Sequence, residues 1–179
     1  MEEYVPCFSC KAPSLNIEGE THKYMLSSPG CWVMFCEILE KEYSDFRYAP
    51  AHHFTVDAYA CQHPGKENIS QAVNSVGIHL SCMHMVFEKG MSLNEGGNFK
   101  NKFAQFNKEK KFLRWLSPPL NLGIITVQDV WNSENVGKHF ELCESWADAT
   151  WSAWKEHHNR IKEWVESYID QESYSFLKK

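Results

Sequence analysis

The sequence predicts an all-α protein, a single-domain helical bundle with an irregular N-terminal arm. From Val136 to Tyr168, apolar and aromatic residues recur in alternating steps of three and four, which is the spacing of one helix face. At Ser28-Pro29 a strong helix start precedes a long run without helix breakers. Alternation of period two is nowhere sustained, so a helical bundle is the economical interpretation.

The 179 residues fit one domain that is long enough to bury a sizeable core. We expect residues 1–27 to form an irregular, cysteine-containing arm, because this polar stretch shows no sustained period. Residues 28–170 are expected to form the bundle, and residues 171–179 a tail.

The first three predicted helices are each bounded by recognisable residues. Ser28 and Pro29 begin a helix that continues to about Tyr43. A second helix is expected over residues 50–62, where His63 precedes the Pro64-Gly65 break. A third is expected to begin at Asn68, with Gln71 completing a capping box, and to end near Gly90.

The second half of the chain predicts a loop, two helices and a connector before the last helix. Residues 91–98 are rich in Gly, Asn and Ser and are expected to be a loop, whereas Phe99, Phe103 and Phe106 share a helix face. Residues 116–123 predict a rigid connector, and Thr126 with Asp129 can cap a short helix in TVQDV. The last helix is expected to run without interruption over residues 136–168.

The composition argues against several classes of protein. The net charge of −5 does not favour nucleic-acid binding, and no stretch approaches the length of a membrane span. The N-terminus shows no secretory signal, and seven cysteines is an odd number, so a reducing cytoplasm is expected. The cysteines are then packing residues, metal ligands or nucleophiles. The partner is left open, and the Trp-rich last helix would allow a small-molecule ligand.

Cys7 and Cys10 form the strongest local signal, because two thiolates three residues apart can hold one Zn²⁺ from a tight turn. A tetrahedral site needs two more ligands, and Cys31 and His22 are the nearest candidates. The sequence therefore predicts a structural zinc site. The alternative is a pair of unmetallated thiols in a mobile arm.

A second set of polar residues, on the predicted helices, could carry chemistry. Asp57, His63, His79 and His157 are the candidates for a metal-dependent hydrolase or transferase with a His/Asp cluster in the bundle centre. The alternative is a structural hydrogen-bond network, since a buried imidazole needs a partner in any case.

The segment 99–115 interleaves lysines with aromatic residues and could make the protein a non-catalytic module that binds polyanions or another protein. Such a pattern is more typical of a helix with a solvated basic face and a core face of phenylalanines.

The chain resembles a family of uncharacterised, mainly bacterial proteins classed as a domain of unknown function. The resemblance rests on C-x2-C at 7–10, SSPGCW at 27–32, H-x-x-TVDAYA-x-QHPG at 52–65, HL at 79–80 and W-x-AW-x-x-HH at 151–158. Lys11 departs from the pattern, where Gly usually follows the second cysteine. The resemblance implies a one-domain helical protein and brings no known activity. It marks as pattern positions Cys7, Cys10, His22, Cys31, His52, Asp57, Tyr59, Gln62, His63, His79, His157 and His158.

Overall fold

The structure, a computed structural model, describes residues 3–176, with side chains described as far as Gln171. Over this range the chain forms seven α-helices, two short 3-10 segments and one two-stranded hairpin. The predicted all-α bundle with a separate N-terminal arm is therefore confirmed. None of the helices in this range is long and apolar enough to cross a membrane.

The hairpin strands are β1 (Tyr4–Pro6) and β2 (Pro13–Leu15), and the helices are α1 (Pro29–Ser44), α2 (His52–Gln62), α3 (Ser70–Phe87), α4 (Leu93–Lys110), α5 (Val127–Trp131), α6 (Val136–Ala153) and α7 (His158–Phe176). The 3-10 segments Ala49–Ala51 and Lys155–His157 immediately precede α2 and α7.

Helix α2 is the central element of the bundle. Between Phe54 and Gln62 every residue except Val56 is buried, so this helix is enclosed on nearly all sides. It packs chiefly against α6 and α3 and also contacts α1. Because a helix without a solvated face must find partners for its polar groups inside the protein, α2 is where buried chemistry is concentrated.

Helix α1 begins as the sequence predicts. The Ser28 backbone is extended, and its hydroxyl accepts a hydrogen bond from the Cys31 N–H at 3.4 Å. Pro29 occupies the first turn, where a missing N–H costs nothing. The capping box of Thr126 and Asp129 on α5 is also present.

Two predictions about helix starts were wrong. Helix α3 begins after Ile69, which makes no side-chain cap, so Asn68 and Gln71 do not form the expected box. Helix α4 begins at Leu93, inside the expected loop, because Ser92 and Glu95 form a reciprocal capping box. That box satisfies backbone donors in a stretch whose two glycines disfavour a helix.

The continuous helix expected over residues 136–168 is interrupted. At Trp154 the backbone leaves helical geometry, and its N–H turns back to the Trp151 carbonyl at 3.0 Å. The His158 side chain also donates to that carbonyl at 3.0 Å, while its ring stacks on Trp151 at 3.6 Å. The apolar spacing passes through this break unchanged, because Trp154 and Ile161 are both buried.

The arm lies against the start of α1. Strands β1 and β2 pair antiparallel, with Val5 opposite Ser14. The buried hydroxyls of Ser14 and Ser28 are 2.8 Å apart, which joins β2 to the helix cap. A Cβ at Gly30 would come within 2.3 Å of the Leu15 carbonyl oxygen, so only glycine allows this approach.

Candidate metal centre

Four side chains from three parts of the chain converge where the arm meets the bundle. Cys7 and Cys10 come from the turn between β1 and β2, Cys31 from the first turn of α1, and His63 from the end of α2. Their ligand atoms all lie within 4.8 Å of one another. Cysteine sulfur and histidine nitrogen are the donors that zinc and related cations prefer, so the group could hold a metal ion.

The group is removed from solvent. Cys31 is fully buried, and Cys7, Cys10 and His63 are each exposed by 7% or less. Three thiols and an imidazole that are this deeply buried are unusual without a common partner, since buried polar atoms normally find one.

The turn that carries Cys7 and Cys10 is held by the backbone. The Cys7 N–H donates to the Ala12 carbonyl at 2.9 Å, and the Ala12 N–H donates to the Cys10 sulfur. Lys11 takes a left-handed conformation with φ of 65° and donates its ammonium to the Phe8 carbonyl at 2.8 Å. A left-handed residue suits glycine best, which gives a physical reason for the glycine of the family pattern at this position.

Tyr59 orients His63. The Nδ1–H of His63 donates to the Tyr59 carbonyl at 2.7 Å, and the His63 ring stacks on the Tyr59 ring at 3.9 Å. A neutral imidazole with its proton on Nδ1 would present the lone pair of Nε2 to the sulfurs. A backbone carbonyl on the far nitrogen is the usual companion of a metal-binding histidine.

The three thiols differ in their affinity for a proton. Hydrogen bonds from Cys10 and Cys31 hold the pKa of Cys7 well below its usual range. Hydrogen bonds with Cys10 and Cys7, together with burial, raise the pKa of Cys31 far above its usual range. For Cys10, the Cys31 contact lowers the pKa, but the Cys7 contact and burial outweigh it and raise the pKa to about 12. One buried thiolate is therefore favoured, and further deprotonation needs a cation.

The structure brings Cys7, Cys10 and Cys31 together but does not add His22 to them. The fourth member is His63 instead. The His22 ring packs against Tyr24 and Trp32, at 4.3 and 5.3 Å. Nearness in sequence favoured His22, whereas the fold places His63 beside the three sulfurs.

His63 carries a signal that sequence reasoning did not use. Helices α1 and α2 are joined by a short connection, and such neighbours run antiparallel. The start of α1, with Cys31, must then lie beside the end of α2, with His63. The expected pairing of helices could have identified the fourth residue.

The four catalytic candidates lie in three different places. His63 belongs to the cysteine group, and His157 contacts the Ser117 carbonyl at 2.9 Å. Asp57 and His79 do meet, with the His79 Nδ1 at 2.5 Å from the Asp57 carboxylate. Lys100 from α4 pairs with the same carboxylate oxygen.

The Asp57 cluster is a compact ion-paired group in the core. Burial acts to raise the pKa of Asp57, but the charge of Lys100 and the His79 hydrogen bond outweigh it and hold the pKa below its usual range. Burial lowers the pKa of His79 in turn. A neutral imidazole beside a carboxylate and an ammonium is the arrangement of a satisfied network.

Over most of its length, the segment 99–115 is a helix with a solvated basic face and a core face of phenylalanines. Phe99 and Phe103 are buried, whereas Lys102, Lys108 and Lys110 are exposed on α4. Lys100 is the exception, since its ammonium turns inward to Asp57.

One comparison with known proteins identifies a relationship. The sequence model of a family described as a family of unknown function, DUF5946, matches residues 5–155. The match includes the whole cysteine and histidine group and ends before α7. No curated protein and no solved structure matches the chain.

Proposed function

This chain belongs to the DUF5946 family of unknown function, and we propose that it is a zinc-binding helical domain whose metal is structural. Zn²⁺ is held by Cys7, Cys10, Cys31 and His63 and fastens the N-terminal arm to the bundle. The observation that carries the proposal is the convergence of these four buried ligand atoms from three separate segments.

The distances support a tetrahedral site. With Zn–S near 2.3 Å and Zn–N near 2.0–2.1 Å, two sulfurs should be about 3.8 Å apart, and a sulfur and a nitrogen about 3.5 Å apart. The Cys10 and Cys31 sulfurs are 3.8 Å apart, and His63 Nε2 is 3.6 Å from the Cys7 sulfur and 3.3 Å from the Cys31 sulfur. A zinc ion fits these edges with little rearrangement.

The composition and burial favour a structural role over a catalytic one. Structural zinc sites use four protein ligands, often three or four cysteines, whereas catalytic sites keep one position for water or substrate. Here four protein ligands are present and all are buried. A dication would also allow all three thiols to become thiolates, because it supplies the positive charge that the group otherwise lacks.

Because its ligands come from the hairpin turn, α1 and α2, a bound zinc would fasten the hairpin to the bundle. The hairpin is short, and a two-stranded hairpin has little stability of its own in water. Zinc would connect this hairpin to the first turn of α1 and to the end of α2. The metal thus adds to the Ser14–Ser28 contact and the close approach at Gly30 in holding the arm.

Elemental analysis of the full chain, purified without a metal-binding tag, tests the proposal. We expect the cysteine group to contribute one zinc per chain in the wild type, and the zinc content to fall by one per chain in Cys10→Ser and Cys31→Ser. Cys36→Ser is the matched control, because Cys36 also lies on α1 but is exposed and outside the group. It should keep its zinc.

Cobalt replacement provides a second measurement that does not depend on the stability of a variant. Co²⁺ in a tetrahedral site with thiolates gives strong visible bands and a sulfur-to-metal charge-transfer band. The wild type and Cys36→Ser should show both. A wild-type protein that takes up neither zinc nor cobalt in this group, while remaining helical, would refute the proposal.

A further inference from the structure

We propose that Glu42, His139 and Cys143 form a second metal site, independent of the first, that takes a divalent transition-metal cation of the zinc or iron class. His52 holds the other oxygen of the Glu42 carboxylate and orients it. The proposal does not rest on the zinc assignment above, because the two groups share no residue.

The three residues bring their ligand atoms within 4.8 Å of one another in the core. Glu42 comes from the last turn of α1, and His139 and Cys143 come from one face of α6, four residues apart. The Glu42 and His139 side chains are completely buried, and Cys143 is fully buried as well. A packing cysteine would have no need of a carboxylate and an imidazole at this distance.

The Glu42 carboxylate gathers the other polar groups of this cluster around it. One carboxylate oxygen is 3.0 Å from His139 Nε2 and accepts from the Thr55 hydroxyl at 2.5 Å. The other is 2.9 Å from His52 Nδ1. The Cys143 sulfur is 3.2 Å from the Thr55 hydroxyl, on the same side of the carboxylate. One imidazole nitrogen, one carboxylate and one sulfur therefore lie together, and His52 holds the other oxygen of the carboxylate.

Each histidine is oriented by a hydroxyl on its opposite nitrogen. His139 Nδ1 is 3.0 Å from the Ser133 hydroxyl, and His52 Nε2 is 3.1 Å from the Tyr43 hydroxyl. Such outer contacts set the tautomer and ring orientation of metal-binding histidines. The other nitrogens, His139 Nε2 and His52 Nδ1, donate to the Glu42 carboxylate, and a cation bound at His139 Nε2 would replace the proton there.

The charges of the group match a dication. Glutamate and a cysteine thiolate carry two negative charges, and two neutral imidazoles add none, so a bound M²⁺ would leave the buried cluster neutral. The donor set, with one sulfur beside a nitrogen and an oxygen, suits zinc or ferrous iron better than calcium or magnesium, which prefer oxygen alone. His52 keeps a quarter of its side chain exposed, which provides the path by which a cation can enter.

The two groups lie at opposite ends of one helix pair. Cys31 and His63 meet where α1 begins and α2 ends, and Glu42 and His52 meet where α1 ends and α2 begins. Eleven residues of α1 separate Cys31 from Glu42, which is about 16 Å at 1.5 Å per residue. This separation is too great for a single shared metal.

The test is metal titration of the full chain after its metals have been stripped, with zinc and, under anaerobic conditions, ferrous iron as probes. We expect the wild type to saturate at two metal ions per chain. Cys143→Ala and His139→Gln should each saturate at one, whereas Cys10→Ser should lose the other ion and keep this one. Cys61→Ala is the matched control, since Cys61 is a fully buried cysteine of α2 outside both groups. It should bind two.

His139→Gln separates a metal site from a hydrogen-bond network, because the glutamine amide can still donate to Glu42 while it is a poor metal ligand. If Cys143→Ala fails to fold, His139→Gln still provides the test. Circular dichroism and the unfolding midpoint of His139→Gln show whether that variant keeps the fold. A wild-type protein that saturates at one ion, lost in Cys10→Ser, would overturn this proposal and leave the first intact. A second ion that persists in both His139→Gln and Cys143→Ala would overturn it too.

Discussion

At the scale of single residues, His84 is the clearest example of a buried group whose charge depends on folding. It lies on α3 at 5% exposure, and neither ring nitrogen has a hydrogen-bond partner among the described residues. Burial, assisted by the nearby Lys89, lowers the pKa of His84 from its usual value. The folded protein therefore holds this imidazole neutral at a pH where the unfolded chain protonates it.

The buried neutral His84 should therefore make the protein less stable in acid, and replacing it with a residue that does not titrate should remove this loss. Above the ordinary histidine pKa of about 6.5 the imidazole is neutral in both states. As the pH falls below that value, His84 gains a proton in the unfolded chain but stays neutral in the folded state. The free energy of unfolding therefore decreases. When the pH falls from 7.5 to 5.5, the free energy of unfolding should decrease by about 1 kcal/mol less in His84→Leu than in the wild type.

Urea unfolding of both proteins at the two pH values measures this difference in the free energy of unfolding. The other titrating groups are the same in both proteins and cancel in the comparison, and the zinc concentration is held constant. At pH 7.5 the variant should be as stable as the wild type or slightly more so, because it removes two unpaired buried nitrogens. Equal pH dependence in the two proteins would show that folding does not lower the pKa of His84.

The candidate metal group also shows what residue-level reasoning can reach. Cys7 and Cys10 are recognisable from spacing alone, because two thiolates on one tight turn face one point. Cys31 was reached as a neighbour in sequence, but His22 was chosen by the same criterion and lies elsewhere. Glu42 lies on a different helix from His139 and Cys143, so no spacing in the sequence joins it to them, and His63 could be reached only through the expected pairing of α1 with α2.

At the scale of helices, the sequence identified two of the starts that a side chain caps, but it missed the capping box of Ser92 and Glu95 at α4. Ser28 and Thr126 were identified correctly because an extended cap followed by proline or by an acidic residue is a local arrangement. The start of α3 could not be found in this way, because Ile69 provides no cap. The break at Trp154 was also hidden, since it is stabilised by His158 and leaves the apolar spacing intact.

The capping box of α4 is a testable case, because its sequence favours a loop. Ser92→Ala removes the hydroxyl that accepts from the Glu95 N–H and should lower the free energy of unfolding by about 1 kcal/mol. Asn68→Ala is the matched control, because α3 begins without a side-chain cap. It should leave the stability unchanged.

Chemical denaturation of the wild type and both variants provides the comparison. If Ser92→Ala and Asn68→Ala behave alike, the box at α4 contributes nothing to stability. In that case other contacts, such as the packing of Gly96 against Cys82, must hold the first turn of α4.

At the scale of the whole molecule, the arm and the bundle are joined by close contacts at glycines, which the sequence alone did not predict. Gly30 and Gly65 both lie where the arm approaches a helix end, and a Cβ at Gly65 would come within 2.1 Å of the Tyr24 carbonyl oxygen. These glycines lie within SSPGCW and QHPG, two segments that carried the family resemblance. The all-α class follows from periodicity, whereas the attachment of the arm follows from packing between distant segments.

If zinc fastens the arm, its removal should release the arm while the bundle stays folded. The helices are held by an apolar core that runs from α1 to α7, and the hairpin contributes little to it. Lys11 and Lys23 are exposed, and Lys11 lies in the turn that follows the two arm cysteines. A bound metal would keep this turn rigid, and proteases need a flexible backbone to cut.

Limited trypsin digestion with mass spectrometry, with and without a zinc chelator, distinguishes these states. Chelation should increase cleavage after Lys11 and Lys23 at least about tenfold, which corresponds to about 1.4 kcal/mol of lost protection. Cleavage after Lys162 on α7 provides the internal control and should change little, and the helical circular dichroism signal should be retained. Cys36→Ser should respond as the wild type does, whereas Cys10→Ser should be cut rapidly even with zinc present. Equal cleavage at Lys11 with and without the chelator would mean that contacts such as Ser14–Ser28 hold the arm by themselves.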